Sequence, residues 1–129
     1  MQAMDESTRQ VAAVRGAVQA EGNTPEAIAE ATEALMGSLM EVNELEPEAM
    51  ISAIFTATDD LDAEFPAVAA RSMGLSEVPL ICAREIPVPG SLERVIRVMV
   101  HFNGDSGRPV RHVYLGETRK LRSDLEAAQ

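Results

Sequence analysis

The sequence of 129 residues has few cysteine, aromatic and lysine residues. Its one cysteine, Cys82, excludes an internal disulfide bond and any zinc cluster built from cysteines. Aromatic residues make up only 3% of the chain and tryptophan is absent, so the core must consist mainly of Ala, Val, Ile, Leu and Met. Such a small core often gains stability when chains assemble into an oligomer. We expect a globular protein of ordinary composition in a reducing compartment.

Long apolar segments are also missing. No run approaches the ~20 apolar residues that a membrane helix needs, and the first ten residues have no apolar stretch typical of a signal peptide. These features predict a cytoplasmic protein that does not enter the membrane. The chain length suits one domain, which we assign to residues 11–125, with a flexible N-terminal tail at 1–10 and a C-terminal tail at 126–129.

The charges are unevenly distributed along the chain. The net charge is −10, which argues against nucleic acid and anionic membranes as partners. Residues 1–64 hold 14 acidic and only two basic residues, whereas residues 65–129 hold seven acidic and nine basic residues. Ten of the eleven basic residues are arginines, the side chain suited to a bidentate grip on carboxylate or phosphate. An arginine-rich composition can also simply reflect a GC-rich genome.

The hydrophobic pattern predicts a mixed α+β fold in the order β-α-β-α-β-β-β. Thr24 and Pro25 open a helix that should run from about Pro25 to Val42. A second, short helix should lie between Phe65 and Gly74. Strands are predicted, in chain order, at 11–18, 51–58, 78–85, 92–103 and 110–115. The end of the chain, from residue 119, should form a ragged turn or helix.

The usual catalytic and cofactor motifs do not occur. The sequence has no glycine-rich phosphate loop, no HExxH and no Gly-x-Ser-x-Gly. His101 and His112 lack the spacing of metal ligands. A lone cysteine such as Cys82 is more often a small buried residue than a nucleophile. The sequence therefore supports neither a metal, nor a nucleotide cofactor, nor covalent catalysis.

Two arginines lie inside apolar strands. Side chains alternate between the faces of a strand, so Arg97 shares a face with Val95 and Met99. An arginine among apolar neighbours is costly unless an anion meets it. One reading gathers Arg97 with Arg15, Glu85 and Tyr114 around a small anionic ligand. The other reading pairs Arg97 with Glu85 in a buried salt bridge and leaves Arg15 in solvent.

Several segments resemble one family, in the same order along the chain. They are V14-R-G-A17, F65-P-A-x-A-x-R71, V78-P-L-I-C-A-R-E85, I96-R-V-M99, R111-H-V-Y-L115 and L121-R-S-D-L125. Together they resemble the monofunctional AroH-class chorismate mutases, from about Val11 to Leu125. Each motif alone is weak, but the first five in order at matching spacings are a strong signal.

The resemblance implies a fold, an assembly and a reaction. Members of this family are homotrimers that form a pseudo-α/β-barrel, with active sites in clefts between subunits. They convert chorismate to prephenate by a Claisen rearrangement on the way to phenylalanine and tyrosine. The reaction uses no metal and no cofactor. The implied partners are thus the substrate, the product and two further copies of the chain.

The resemblance also implies roles for individual residues in the reacting part of the site. Arg97 is similar to the arginine that contacts the ether oxygen of the substrate. Glu85 and Cys82 are similar to the pair near the ring hydroxyl. Arg15 and Tyr114 are similar to the residues that hold one substrate carboxylate.

Further residues correspond to the walls and the mouth of the cleft. Phe65, Ala67 and Leu121 are similar to apolar walls that a neighbouring subunit partly supplies. Arg71 and Arg122 are similar to residues at the cleft mouth. These five residues complete the predicted site.

The sequence departs from the family at one position. Val68 stands where the best-known members have a lysine. Either another donor, such as Arg71 or a backbone N–H, holds the second substrate carboxylate, or the affinity for the substrate is weaker. Two other functions remain compatible with the residues alone. One is a non-catalytic trimer that binds a small anion, and the other is an enzyme like the enamine/imine deaminases, although the segments C82-A-R-E85 and R111-H-V-Y-L115 do not match that family.

Overall fold

The computed structural model describes residues 9–121, which form a five-stranded sheet and two helices. The strands are β1 (Arg9–Gln19), β2 (Met50–Ala57), β3 (Leu80–Arg84), β4 (Val95–Asp105) and β5 (Val113–Tyr114). The helices are α1 (Pro25–Val42) and α2 (Pro66–Ala70). This order confirms the mixed α+β prediction.

The sheet has the strand order β3-β2-β4-β1-β5. The central strand β4 pairs antiparallel with both β1 and β2, whereas the outer strands β5 and β3 run parallel to β1 and β2. The two parallel pairs flank an antiparallel centre, so strands from both halves of the chain lie side by side. Residues that are distant in sequence therefore share neighbouring positions on one face.

The long helix α1 begins and ends where the sequence predicted. The Thr24 hydroxyl accepts a hydrogen bond from the Ala27 N–H at 3.0 Å, and Pro25 occupies the first helical position. Helical spacing then places Ile28, Leu35 and Leu39 on the buried face. These side chains pack on one face of the sheet and form the main hydrophobic core.

Each central strand divides its side chains between this core and the other face, which we call the open face. On β4, Ile96, Val98 and Val100 belong to the main core, while Arg97 between them is exposed. On β1, Val14 faces the core, whereas Ala17 packs on the open face in a separate small cluster with Val95 and Tyr114. The alternation that the sequence predicted for Arg97 is thus confirmed.

The strands differ from their predicted bounds by one to three residues at an end, and three elements differ most. Strand β4 begins at Val95 instead of Leu92, because Arg94 adopts a positive φ of 52° that extended strands do not use. Strand β5 is only two residues long. The short helix ends at Ala70 and continues as a wider turn, Arg71–Leu75, in which Gly74 has a φ of 103°.

Gly16 is the point where β1, β5 and α1 approach most closely. A Cβ atom at this position would lie 2.8 Å from the Val113 carbonyl oxygen and 2.8 Å from Leu35 Cδ1. The carbonyl belongs to the backbone of β5, so it cannot move without disturbing the pairing of β1 with β5. Only glycine fits this position without a shift of the backbone.

We expect Gly16→Ala to lower the free energy of unfolding by about 1–3 kcal/mol, the usual cost of overpacking. The matched control is Gly37→Ala on α1, where an added Cβ meets no atom within 4 Å. Alanine should stabilise that helical position by about 0.5–1 kcal/mol. Urea unfolding followed by circular dichroism measures both changes. Equal stability of the two variants would contradict the close approach at Gly16.

Candidate functional site

Four of the residues singled out from the sequence line one cleft on the open face. Arg15, Glu85, Arg97 and Tyr114 surround a space of about 290 Å³, together with Thr56. Further lining comes from Gly16, Ile54, Val98 and Met99. We call this space the open-face cleft.

Strand register explains why these side chains meet. Arg97 on β4 lies opposite Ala17 on one side and Thr56 on the other, and Arg15 lies opposite Met99. Ala17 also pairs with Tyr114 on the far side of β1. The four neighbouring strands β2, β4, β1 and β5 thus bring a hydroxyl, a cation and a phenol to one level of the sheet.

Glu85 is the anion that Arg97 meets. Its Oε2 lies 3.4 Å from Arg97 Nε, and the Thr56 hydroxyl donates a hydrogen bond to the same oxygen. The Glu85 N–H also donates to the Ala57 carbonyl at 3.0 Å, which places the residue just beyond the end of β3. The carboxylate is therefore held from two strands and faces the arginine.

The Arg97–Glu85 pair is partly open to solvent. The Arg97 side chain is 44% exposed and that of Glu85 is 23% exposed. The salt bridge that the alternative reading required therefore exists, but it is not buried. Because Glu85 contacts the Nε edge, much of the guanidinium remains accessible from the cleft.

The backbone of Arg15 and the side chain of Tyr114 are held by contacts outside the Arg97–Glu85 pair. The Arg15 N–H donates to His112 Nδ1 at 3.0 Å, which ties β1 to the segment before β5. Tyr114 is buried against Ala17 and Val95, and Leu121 packs against this cluster. Leu121 also lines an adjoining space of about 540 Å³ that shares Arg97 and Glu85 with the open-face cleft.

Phe65 and Cys82 lie on a different surface. They line a space of about 400 Å³ with Pro66, Ala83 and Arg84, which we call the helix-side cleft. Cys82 packs against the main core, whereas the Phe65 ring is 64% exposed. Within one chain, Cys82 and Glu85 therefore face opposite sides of the sheet, as strict strand alternation predicts.

The remaining predicted site residues lie near the second helix or beyond the region described. Ala67 is buried in the main core. Arg71 is exposed at the end of α2, and Val68 is 40% exposed. Arg122 lies outside the described residues.

The sequence analysis did not single out two residues that the structure places at these clefts. Thr56 holds the Glu85 carboxylate, but only the pairing of β2 with β4 reveals its position beside Arg97. Arg84 lines the helix-side cleft, and alternation from Cys82 could have placed it there, because residues two apart share a face. In the segment C82-A-R-E85, Cys82 and Arg84 thus line the helix-side cleft, whereas Glu85 lines the open-face cleft.

Residues 9–121 lack two kinds of feature. No helix there is long and apolar enough to cross a membrane. That part of the chain also has no group of three or more His, Cys, Asp or Glu side chains that could hold a metal ion.

Known proteins are similar to this chain in sequence and in fold. The family model described as "Chorismate mutase type I" matches residues 11–125. The chain belongs to this family. Chorismate mutase AroH of Thermus thermophilus is 51% identical over 121 residues, which are 92% of this chain and 99% of that protein. Chorismate mutase AroH of Bacillus subtilis (strain 168) is 40% identical over 114 residues, 87% of this chain and 90% of that protein.

A solved structure extends the family assignment to the fold. The chorismate mutase from Clostridium thermocellum superposes with a TM-score of 0.81 at 47% sequence identity. The match covers 84% of this chain and 98% of that one. The mixed sheet with its few helices is therefore a chorismate mutase fold.

We expect Glu85→Gln to change the free energy of unfolding by less than about 1 kcal/mol, because ion pairs exposed to solvent contribute little to stability. Glutamine keeps the shape of the side chain and can still accept a hydrogen bond from Thr56. Thermal unfolding at low and at high salt measures the effect. A loss of several kcal/mol would mean that the pair serves mainly to stabilise the fold.

Proposed function

We propose that this chain converts chorismate to prephenate by a Claisen rearrangement, in the biosynthesis of phenylalanine and tyrosine. Membership of the chorismate mutase family over residues 11–125 supports the reaction. The observation that carries the proposed mechanism is the open-face cleft, where an accessible Arg97 is held by Glu85 and lies near Arg15 and Tyr114.

The reaction requires few catalytic groups from the protein. The rearrangement is intramolecular: the ether C–O bond breaks while a C–C bond forms, and the two steps are concerted. No proton is transferred and no group leaves the molecule. Catalysis therefore needs only two effects, which are holding the flexible enolpyruvyl arm over the ring and stabilising the charge that develops on the ether oxygen.

Arg97 supplies the second effect in our proposal. Its guanidinium donates to the ether oxygen as that atom becomes electron-rich in the transition state. Glu85 keeps the guanidinium in place, and Thr56 keeps Glu85 in place through its hydroxyl. A donor that is already oriented does not have to reorganise during the reaction, which is why such groups contribute strongly to rates.

Arg15 and Tyr114 hold one carboxylate of the substrate, and Leu121 forms an apolar wall beside them. Their arrangement at one end of the open-face cleft supports these roles. A cation and a phenol together suit a carboxylate, because both donate hydrogen bonds to its oxygens. The local arginines must attract a dianionic substrate to a protein whose net charge is −10.

The separation of the two clefts supports an active site shared between chains. Cys82 and Glu85 are both proposed to lie near the ring hydroxyl of the substrate, yet within one chain they face opposite sides of the sheet. Phe65 also lines the helix-side cleft, so within one chain it faces away from Glu85 as well. Both sets of residues reach one substrate if the helix-side cleft of one chain docks against the open-face cleft of another. Ala67, Arg71 and Arg122 would then complete the walls and mouth.

A homotrimer built as a pseudo-α/β-barrel would meet this requirement. Helices cover one face of the sheet, whereas the open face and its edge expose apolar side chains such as Ile54 and Ile81. A sheet with one uncovered apolar face gains stability when a second layer buries it. The absence of a disulfide framework and the metabolic role favour the cytoplasm as the location.

The family assignment favours the mutase over the two other candidate functions. An enamine/imine deaminase would be expected to match a different family model. A non-catalytic trimer would not explain why Arg97, Glu85, Arg15 and Tyr114 are brought together as the family's reaction requires. Turnover of chorismate by the purified chain decides between these functions.

We expect replacement of Arg97 by citrulline, an uncharged side chain of nearly the same shape, to lower kcat by at least about a hundredfold. Loss of one donor aimed at developing negative charge costs on the order of 3–4 kcal/mol. The assay follows the loss of chorismate absorbance in the ultraviolet, with the product checked by acid conversion to phenylpyruvate. Circular dichroism should show an intact fold. A decrease of less than tenfold would refute the electrostatic role.

We expect light scattering to give a mass three times that of one chain. Ile81→Glu should lower this mass, because Ile81 is 61% exposed on the uncovered side of the edge strand β3 and a charge there opposes burial. The control is Ala34→Glu on the exposed face of α1, which adds the same charge away from the open face. A monomeric unsubstituted chain, or a trimer unaffected by Ile81→Glu, would contradict the proposed assembly.

A further inference from the structure

We propose that Arg84 binds a carboxylate of the substrate from the helix-side cleft and supplies the positive charge that Val68 cannot. This inference rests on the proposed function and deepens it. The family resemblance assigned no role to Arg84. The argument for it depends on where this guanidinium lies, which charges surround it and how it is held.

Arg84 lies on the same surface as the site residues of the second cleft. It follows Cys82 by two positions on β3, so both side chains project to the same side of the strand. Arg84, Cys82 and Phe65 line one space of about 400 Å³. If Cys82 and Phe65 face the substrate, Arg84 faces it too, because all three residues line the same cleft.

The helix-side cleft contains acidic residues, so it needs a basic residue if it is to bind a dianionic substrate. Asp62 and Glu64 also line it, and Arg84 is the one basic residue among its lining residues in the described part of the chain. The two carboxylates already have local partners: Asp62 Oδ1 accepts from Asn23 Nδ2 at 2.7 Å, and Glu64 Oε1 accepts from the Phe65 N–H at 2.9 Å. These partners are uncharged, so without Arg84 the two carboxylates would repel a dianion, because like charges oppose association.

The guanidinium of Arg84 is already oriented. Its Nη1 donates to the Thr58 carbonyl at 3.1 Å and to the Leu61 carbonyl at 3.4 Å. Both hydrogen bonds use the same nitrogen, so the Nε and Nη2 donors remain for a ligand. This pair of parallel donors matches the two oxygens of a carboxylate. The two carbonyls also reduce the conformational entropy that binding would otherwise cost.

Val68 explains why this chain needs such a residue. Its side chain is 40% exposed on α2, close in sequence to Phe65, but it has no hydrogen-bond donor. Where family members have a lysine at this position, the second carboxylate has a charged donor from α2. In this chain Arg84 provides that donor from β3, in the cleft that it shares with Phe65.

The test compares three variants in the chorismate assay. Arg84→Gln should raise KM by about tenfold or more and change kcat much less, because a carboxylate is held equally in the ground state and the transition state. Val68→Lys in the Arg84→Gln background should restore most of the lost affinity. The control is Arg108→Gln, since Arg108 also donates to a backbone carbonyl, that of Asn43, and should leave KM unchanged.

Calorimetric titration with prephenate gives a second measurement that does not depend on turnover. Its affinity for Arg84→Gln should fall by the same factor as the rise in KM. If Arg84→Gln is less stable but retains its KM and its affinity for prephenate, Arg84 only holds the 58–61 loop and the proposal is wrong. If Arg84→Gln does not fold, Arg84→Lys keeps the charge without the parallel donors and should show an intermediate KM.

The two proposals fail in different ways. No turnover of chorismate by the unsubstituted, folded chain would overturn the proposed function, and the role of Arg84 with it. Normal turnover together with an unchanged KM in Arg84→Gln would overturn only the role of Arg84. Failure of Val68→Lys to restore affinity would show that the two positions do not serve the same carboxylate.

Discussion

The pairing of β4 with both β1 and β2 is the constraint on which the rest of the structure depends. An eleven-residue strand in the centre of the sheet must satisfy its backbone hydrogen bonds on both sides, and it divides its side chains strictly between two faces. One face carries Ile96, Val98 and Val100 and is covered by α1. A shift of the register by one residue would place Arg97 in that core, so burial of the apolar face also determines where the arginine lies.

The same register determines which side chains are neighbours on the open face. Because β4 lies between β1 and β2, Arg97 has Ala17 on one side and Thr56 on the other. The small side chain leaves room for the cleft, and the hydroxyl orients the Glu85 carboxylate that meets Arg97. A partly exposed ion pair of this kind contributes little to folding. In the proposed mechanism, the pair keeps the Arg97 guanidinium oriented toward the electron-rich ether oxygen.

The division of the site between two faces connects the fold with the proposed assembly. A sheet that covers only one face with helices keeps an apolar surface for other chains, and a site whose residues lie on both faces cannot be completed by one chain. Both properties follow from strand alternation. The reaction is compatible with such a shared site because it needs orientation and fixed charge, and both can come from two chains that dock rigidly.

Much of the secondary structure could be predicted from the sequence, because local interactions determine it. Thr24 and Pro25 marked the start of α1, and the spacing of Ile28, Leu35 and Leu39 marked its buried face, because caps and helical periodicity depend on residues a few positions apart. Strand alternation also depends on residues close in sequence, and it predicted that Arg97 lies on the opposite face from Ile96 and Val98. The family segments predicted that Arg15, Glu85, Arg97 and Tyr114 belong to one site, and these four residues line one cleft in the structure. The tertiary structure alone decided that Thr56 meets Glu85, that the Glu85–Arg97 pair is partly exposed and that Arg84 shares a cleft with Phe65. Those contacts join residues 12 to 29 positions apart, and strand pairing and helix packing set them through backbone hydrogen bonds and apolar burial across the whole chain, which no local pattern specifies.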